Sequence, residues 1–142
     1  MDKTDRARRC AETMYANDAA SQALGIRVDV PTAGSANATM TVRADMVNGF
    51  DVCHGGLLFT LADTAFAFAC NGYDDRTFAA AASIDFLRPA RLGDELRARA
   101  REDYRGSRSG FYSVEVRNQH DEVVAVFRGR SASRGQRLLA PQ

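Results

Sequence analysis

Two kinds of apolar spacing divide this chain. From residue 36 onward, Ala36, Ala38, Met40 and Val42 alternate with Asn37, Thr39, Thr41 and Arg43. Such alternation marks a strand with one buried face. The pattern returns at 95–104, where Leu96, Ala98 and Ala100 alternate with Glu95, Arg97, Arg99 and Arg101. Further strands are expected over 111–118 and 123–133. Residues 78–88 read as an Ala-rich strand ending in Ile84, Phe86 and Leu87 and stopped by Pro89. A short strand is expected within 23–31, where Val28 and Val30 alternate with Arg27 and Asp29. Gly- and polar-rich turns punctuate these segments at 31–35, 71–76, 92–94, 106–110 and 119–122. Residues 4–21 carry a weak helical stripe of Ala7, Cys10, Ala11, Met14 and Tyr15, and 135–142 read as a flexible tail.

The other spacing is continuous. After Asn48-Gly49 and His54-Gly55-Gly56, residues 56–70 run almost without a polar side chain and are rich in Leu and Ala. That composition predicts a helix, and its apolar character on nearly every face predicts burial all round. One carboxylate, Asp63, interrupts it. An ionised carboxylate is costly to bury without partners, so a chemical role is expected to offset the cost. A run of strands can bury such a helix only by curling around it. The expected fold class is therefore α+β, a curled antiparallel sheet wrapped around one long helix, with an N-terminal helical segment at 1–21.

Composition narrows the function more than the fold. At 142 residues, one domain spanning 1–142 is expected, long enough for a real core. The net charge of +1 gives no reason to expect nucleic acid as a partner. Lys3 is the single lysine, so nearly all basic charge is arginine, which suits planar, bidentate contact with phosphate. Cys10, Cys53 and Cys70 are odd in number and follow no metal-ligand spacing, so neither disulfides nor a metal site is expected. The charged N-terminus lacks a signal-peptide core, and no apolar run reaches membrane-spanning length. A cytoplasmic location without membrane association is the expectation.

Three segments then carry a family resemblance. They are Asn48-Gly49 followed by Cys53-His54-Gly55-Gly56 and Leu61-Ala62-Asp63-Thr64-Ala65; Ser83-Ile84-Asp85-Phe86-Leu87-Arg88-Pro89-Ala90; and Asn118-Gln119 with Val126-Phe127-Arg128-Gly129. Over roughly residues 20–134 the chain resembles the hot-dog-fold acyl-CoA thioesterases, specifically the phenylacetate-degradation branch. The resemblance implies hydrolysis of acyl-CoA, with a small aromatic acyl group, and no cofactor beyond the CoA of the substrate. It implies that Asp63 is the catalytic carboxylate, that the Gly55 amide polarises the thioester carbonyl, and that His54 and Asn48 are supporting polar positions. Some relatives place a catalytic Ser or Thr on the strand after the helix. Here Ala79 to Ala82 stand there, leaving Thr64 and Ser83 as the nearest hydroxyls in sequence, and Thr64 is counted among the catalytic candidates.

The residues support that chemistry independently. A helix N-terminus presents unpaired N–H groups and partial positive charge, and Gly55 and Gly56 would let a carbonyl approach with no Cβ in the way. Asp63 could attack the carbonyl or act as a base for water. Cys53 and His54 are adjacent, and their side chains point apart. Arg88, Arg91, Ser107, Arg108 and Arg130, with Gly56, are the candidates for holding the CoA end. Phe50, Phe59, Phe66 and Phe68 could line an aromatic acyl pocket. Gly55 and Asp63 lie eight residues apart, roughly 12 Å along one helix, too far to meet at one carbonyl. A partner chain with its helix antiparallel would bring the two together, so a dimer or tetramer with the site between protomers is expected. Two other functions fit the same segments: dehydration of a 3-hydroxyacyl thioester, which usually calls on a His base, and non-catalytic acyl-CoA binding.

Overall fold

The structure, a computed structural model, describes residues 1–140. Helix α1 (Lys3–Ala16) and short α2 (Ala19–Ala23) precede β1 (Arg27–Asp29) and β2 (Ser35–Thr41). The long helix α3 (Gly55–Cys70) follows, then β3 (Thr77–Phe86), β4 (Glu95–Arg105), β5 (Ser109–Arg117) and β6 (Val123–Ser133). The strands form one antiparallel sheet in the order β1-β2-β4-β5-β6-β3. The sheet curls around α3, as the alternating strands required.

The inward residues explain how closely sheet and helix approach. Ala36 pairs with Ala100 and Ala38 with Ala98, so small side chains line the strands under α3. All four are buried, along with Met40, Leu96, Val114, Val116 and Phe127 from the same face. Against them α3 buries Leu58, Leu61, Ala62, Ala65, Phe66, Phe68 and Ala69. Phe66 needs a further concession from the sheet. A Cβ at Gly129 would stand 2.8–2.9 Å from its ring, so only glycine fits there.

Five expectations need correction. The single helix over 4–21 is two helices, because Asp18 accepts hydrogen bonds from the N–H and Oγ of Ser21 at 3.0 and 2.7 Å and starts a new one. That second helix, with the turn at Gly25 (φ +71°), leaves β1 only three residues of the expected 23–31. Strand β3 ends at Phe86 rather than 88, since Leu87 and Arg88 both donate their N–H to the Val124 carbonyl. Helix α3 is not buried all round. Gly56 is exposed and Phe59, Thr60, Asp63 and Ala67 are half-buried, an open stripe at helical spacing. The expected tail is held over residues 137–139, where Asp74 pairs with Arg137 and accepts from the Leu138 and Leu139 amides. Residues 141 and 142 of that segment lie outside the described residues.

Candidate active site

The site begins where the chain turns into α3. Asn48 builds the approach: its Oδ1 accepts from the Phe50 amide at 2.9 Å and from that of Val52 at 3.4 Å, and its own N–H donates to the Val52 carbonyl. Asp51 takes φ +61°, closing this loop with its N–H on the Asn48 carbonyl. The segment is then stitched to the sheet. The Cys53 amide donates to Ala90 at 2.7 Å, and the His54 amide to Met46 at 2.8 Å.

His54 is the N-cap of α3. Its Nδ1 accepts from the Gly56 amide at 3.2 Å, which places the proton of the neutral ring on Nε2. Its carbonyl receives Leu57 and Leu58. Among the first-turn donors only the Gly55 N–H has no partner among the described residues. A partly positive, unpaired N–H at the head of a 16-residue helix is suited to a carbonyl oxygen gaining negative charge. The ring of Phe86 lies against Gly55, 3.2–3.7 Å from where a Cβ would be.

Asp63 sits two turns further on, on the open stripe. It accepts no hydrogen bond among the described residues, and burial pushes its pKa above the ordinary carboxylate value. Thr64, beside it, is buried and donates its hydroxyl to the Thr60 carbonyl at 2.7 Å. Ser83 is exposed on the outer face of β3, the face opposite half-buried Ile84. Neither hydroxyl forms a hydrogen bond with the Asp63 carboxylate among the described residues. The buried thiols are poor nucleophiles. Burial raises the pKa of Cys53, and that of Cys70 is pushed up to about 11, mainly by burial. No group of three or more metal-ligating side chains converges among the described residues.

The candidates for the CoA end fall into two groups. Arg88 and Arg91 stand beside the Gly55 end, since Val52 bridges to Arg91 and Cys53 to Ala90. Arg88 is engaged with Glu122 at 2.7 Å, whereas the Arg91 guanidinium makes no ion pair among the described residues. Ser107 and Arg108 are exposed in the β4–β5 loop, beside the Thr77 end of β3, where the Arg108 carbonyl accepts from Ser133. Arg130, exposed on β6, pairs with Ala81 and Phe111. The ten residues of β3 span roughly 30 Å, so one chain does not bring the two groups to the same place. Of the four aromatics expected in a pocket, Phe66 and Phe68 are core; Phe59 is half-buried against Phe127, and Phe50 is 86% exposed.

The family model described as "Thioesterase superfamily" matches residues 50–125, which span the capped helix, Asp63 and strands β3 to β5. The chain belongs to the thioesterase superfamily. This thioesterase domain is 50% identical over 121 residues to the acyl-coenzyme A thioesterase PaaI of Escherichia coli, covering 85% of this chain and 86% of the relative. The solved structure of the E. coli PaaI protein from the phenylacetic acid degradation operon superposes with a TM-score of 0.94 at 46% identity, covering 96% of this chain and 99% of that one. A phenylacetic acid degradation protein PaaI from Thermus thermophilus superposes with a TM-score of 0.75 at 36% identity, covering 79% and 96%. The expected hot-dog architecture is therefore the fold of this thioesterase, and the first of the three segments that carry the resemblance builds the helix start and Asp63.

Proposed function

We propose that this chain hydrolyses acyl-CoA thioesters with a small arylacetyl group at a site shared by two protomers. The observation that carries the reading is a pair of unsatisfied groups on α3, the Gly55 N–H at its head and the Asp63 carboxylate on its open stripe. The thioester oxygen accepts from the Gly55 N–H of one protomer. Asp63 of the other takes a proton from water as the water oxygen bonds to the carbonyl carbon. The tetrahedral intermediate keeps its negative charge against the helix head, the C–S bond breaks, and the thiolate leaves to be protonated as CoA. A carboxylate whose pKa is raised by burial suits the role of base, because its strength as a proton acceptor increases. Direct attack by Asp63, giving a mixed anhydride, has the same stoichiometry. Where water then attacks the Asp63 carbonyl carbon of the anhydride, a solvent oxygen is left on the carboxylate, and a single turnover in ¹⁸O-water would reveal that route.

The separation of the two groups supports a shared site. Gly55 and Asp63 of one chain are roughly 12 Å apart. Beside them the molecule is open. Strand β3 is an edge strand, and Phe50, Phe78, Phe86 and Leu87 are exposed. A second copy with its α3 antiparallel would cover the stripe and bring Asp63 opposite Gly55. It would also carry its own Ser107 and Arg108 toward the Arg91 end of the first chain. That arrangement offers arginines from both protomers to the phosphates of CoA. His54 serves as the helix cap and His120 lies exposed in a turn, so dehydration of a 3-hydroxyacyl thioester lacks the His base it usually employs. Thiol release from a panel of acyl-CoA esters tests the reading; CoA-ester binding without release would leave acyl-CoA binding alone.

A further inference from the structure

The ring of Phe86 lies nearest to Gly55 on the side where a side chain would project, with its Cζ 3.2 Å and Cε1 3.3 Å from the position a Cβ would take. Gly55 is also the residue whose N–H is unpaired. An acyl group whose carbonyl oxygen reaches that N–H along the open Cβ side of Gly55 meets the Phe86 ring. The ring is 54% exposed, although its strand neighbour Ala125 is fully buried, so a face of it is available for contact. Strand pairing fixes where it stands. Phe86 is the last residue of β3 in register with β6, and the next two amides close on the Val124 carbonyl.

We propose that Phe86 determines which acyl groups this thioesterase accepts, favouring flat arylacetyl groups that stack on its ring over straight alkyl chains. The inference rests on the hydrolysis reading above. Aromatic pairs gain from offset or edge-on contact beyond what their buried area supplies, whereas an alkyl chain gains only by area. Phe86 is thus a specificity residue beside the polarising amide, with no part in proton transfer.

Phe86→Leu keeps apolar bulk and removes the flat face; Phe86→Ala removes both. With phenylacetyl-CoA and hexanoyl-CoA as paired probes, Phe86→Leu is expected to lower kcat/KM on the aryl ester by roughly 3- to 10-fold. The loss should fall mainly on KM, with kcat/KM on hexanoyl-CoA staying within about twofold. Phe86→Ala should shift the ratio further in the same direction, with the particle size by light scattering unchanged. Equal losses on both esters, or a change in particle size, would assign Phe86 to packing and overturn the proposal. A wild-type protein active on both esters, whose preference Phe86→Leu does not move, also overturns it while leaving hydrolysis intact. A wild-type protein that releases thiol from neither removes the hydrolysis reading, and this inference with it.

Discussion

Asp63 is half-buried on a helix whose neighbouring residues Ala62, Thr64 and Ala65 are packed, and no donor among the described residues stabilises its charge. Burial raises its pKa, so the folded chain keeps a proton over a range where the unfolded chain has released it. Stability contributed by this group is therefore full below the unfolded value and is lost as pH rises through the folded value. Asp63→Asn should melt at or above wild type at neutral pH, and the difference should close on acidification. Its rate of thiol release should fall on the order of 10²–10⁴. Wild-type kcat/KM should show an acid limb with its midpoint above the ordinary carboxylate range. A destabilised but active Asp63→Asn protein would make the residue structural. Gly55→Val places methyl groups against the Phe86 ring and in the carbonyl's path. It should reduce turnover at least about tenfold while the melting temperature changes little, because a half-exposed ring can give way. Asp63 and Gly55 stand out as candidates in the sequence because a lone carboxylate in an apolar run and a glycine at a helix head serve packing poorly. The uses of His54 Nδ1 and the Thr64 hydroxyl were not legible there, since each depends on which local backbone group comes within reach.

The period of each element was legible for the same reason that the elements form. Alternating Ala36, Ala38 and Met40, and Leu96, Ala98 and Ala100, are the buried residues of β2 and β4. The break at Asn17-Asp18 escaped notice because a capping carboxylate competes with helix continuation through one side chain, which periodicity does not register. The open stripe of α3 escaped notice for a different reason. Apolar residues of a helix have the same character whether the chain's own sheet covers them or leaves them open. Contact between α3 and the sheet makes its own prediction. At Gly129 an added methyl would press into Phe66, which is buried with no room to move. Gly129→Ala should cost about 1–3 kcal/mol in denaturant unfolding, while the folded fraction keeps its turnover. Gly49, where an added Cβ meets nothing within 4 Å, is the control.

At the scale of the whole molecule, a site made from two chains can be tested by mixing. Asp63→Asn and Gly55→Val proteins should each be nearly inactive. In a mixed dimer, one site carries both lesions and the other carries neither. After subunit exchange about half the dimers are mixed, so activity should recover to about a quarter of wild type. No recovery, with exchange verified by mass, would place both groups of one site on one chain. The curled sheet could be anticipated from the element order, but the placement of β3 could not, because nothing in its own residues selects β6 over its neighbour in sequence. That pairing has a consequence for synthesis. Thr77 meets Ser133, and Phe86 meets Ala125, so β3 has no partner in its own sheet until the last strand has been made. Gly129, which accommodates Phe66, arrives with that same strand. On a ribosome the apolar helix and the alanine-rich strand therefore emerge well before the segment that completes their surroundings. Closure by so distant a pairing is slow, and until residues 123–133 have emerged this small enzyme is the kind of nascent chain that a holding chaperone would recognise.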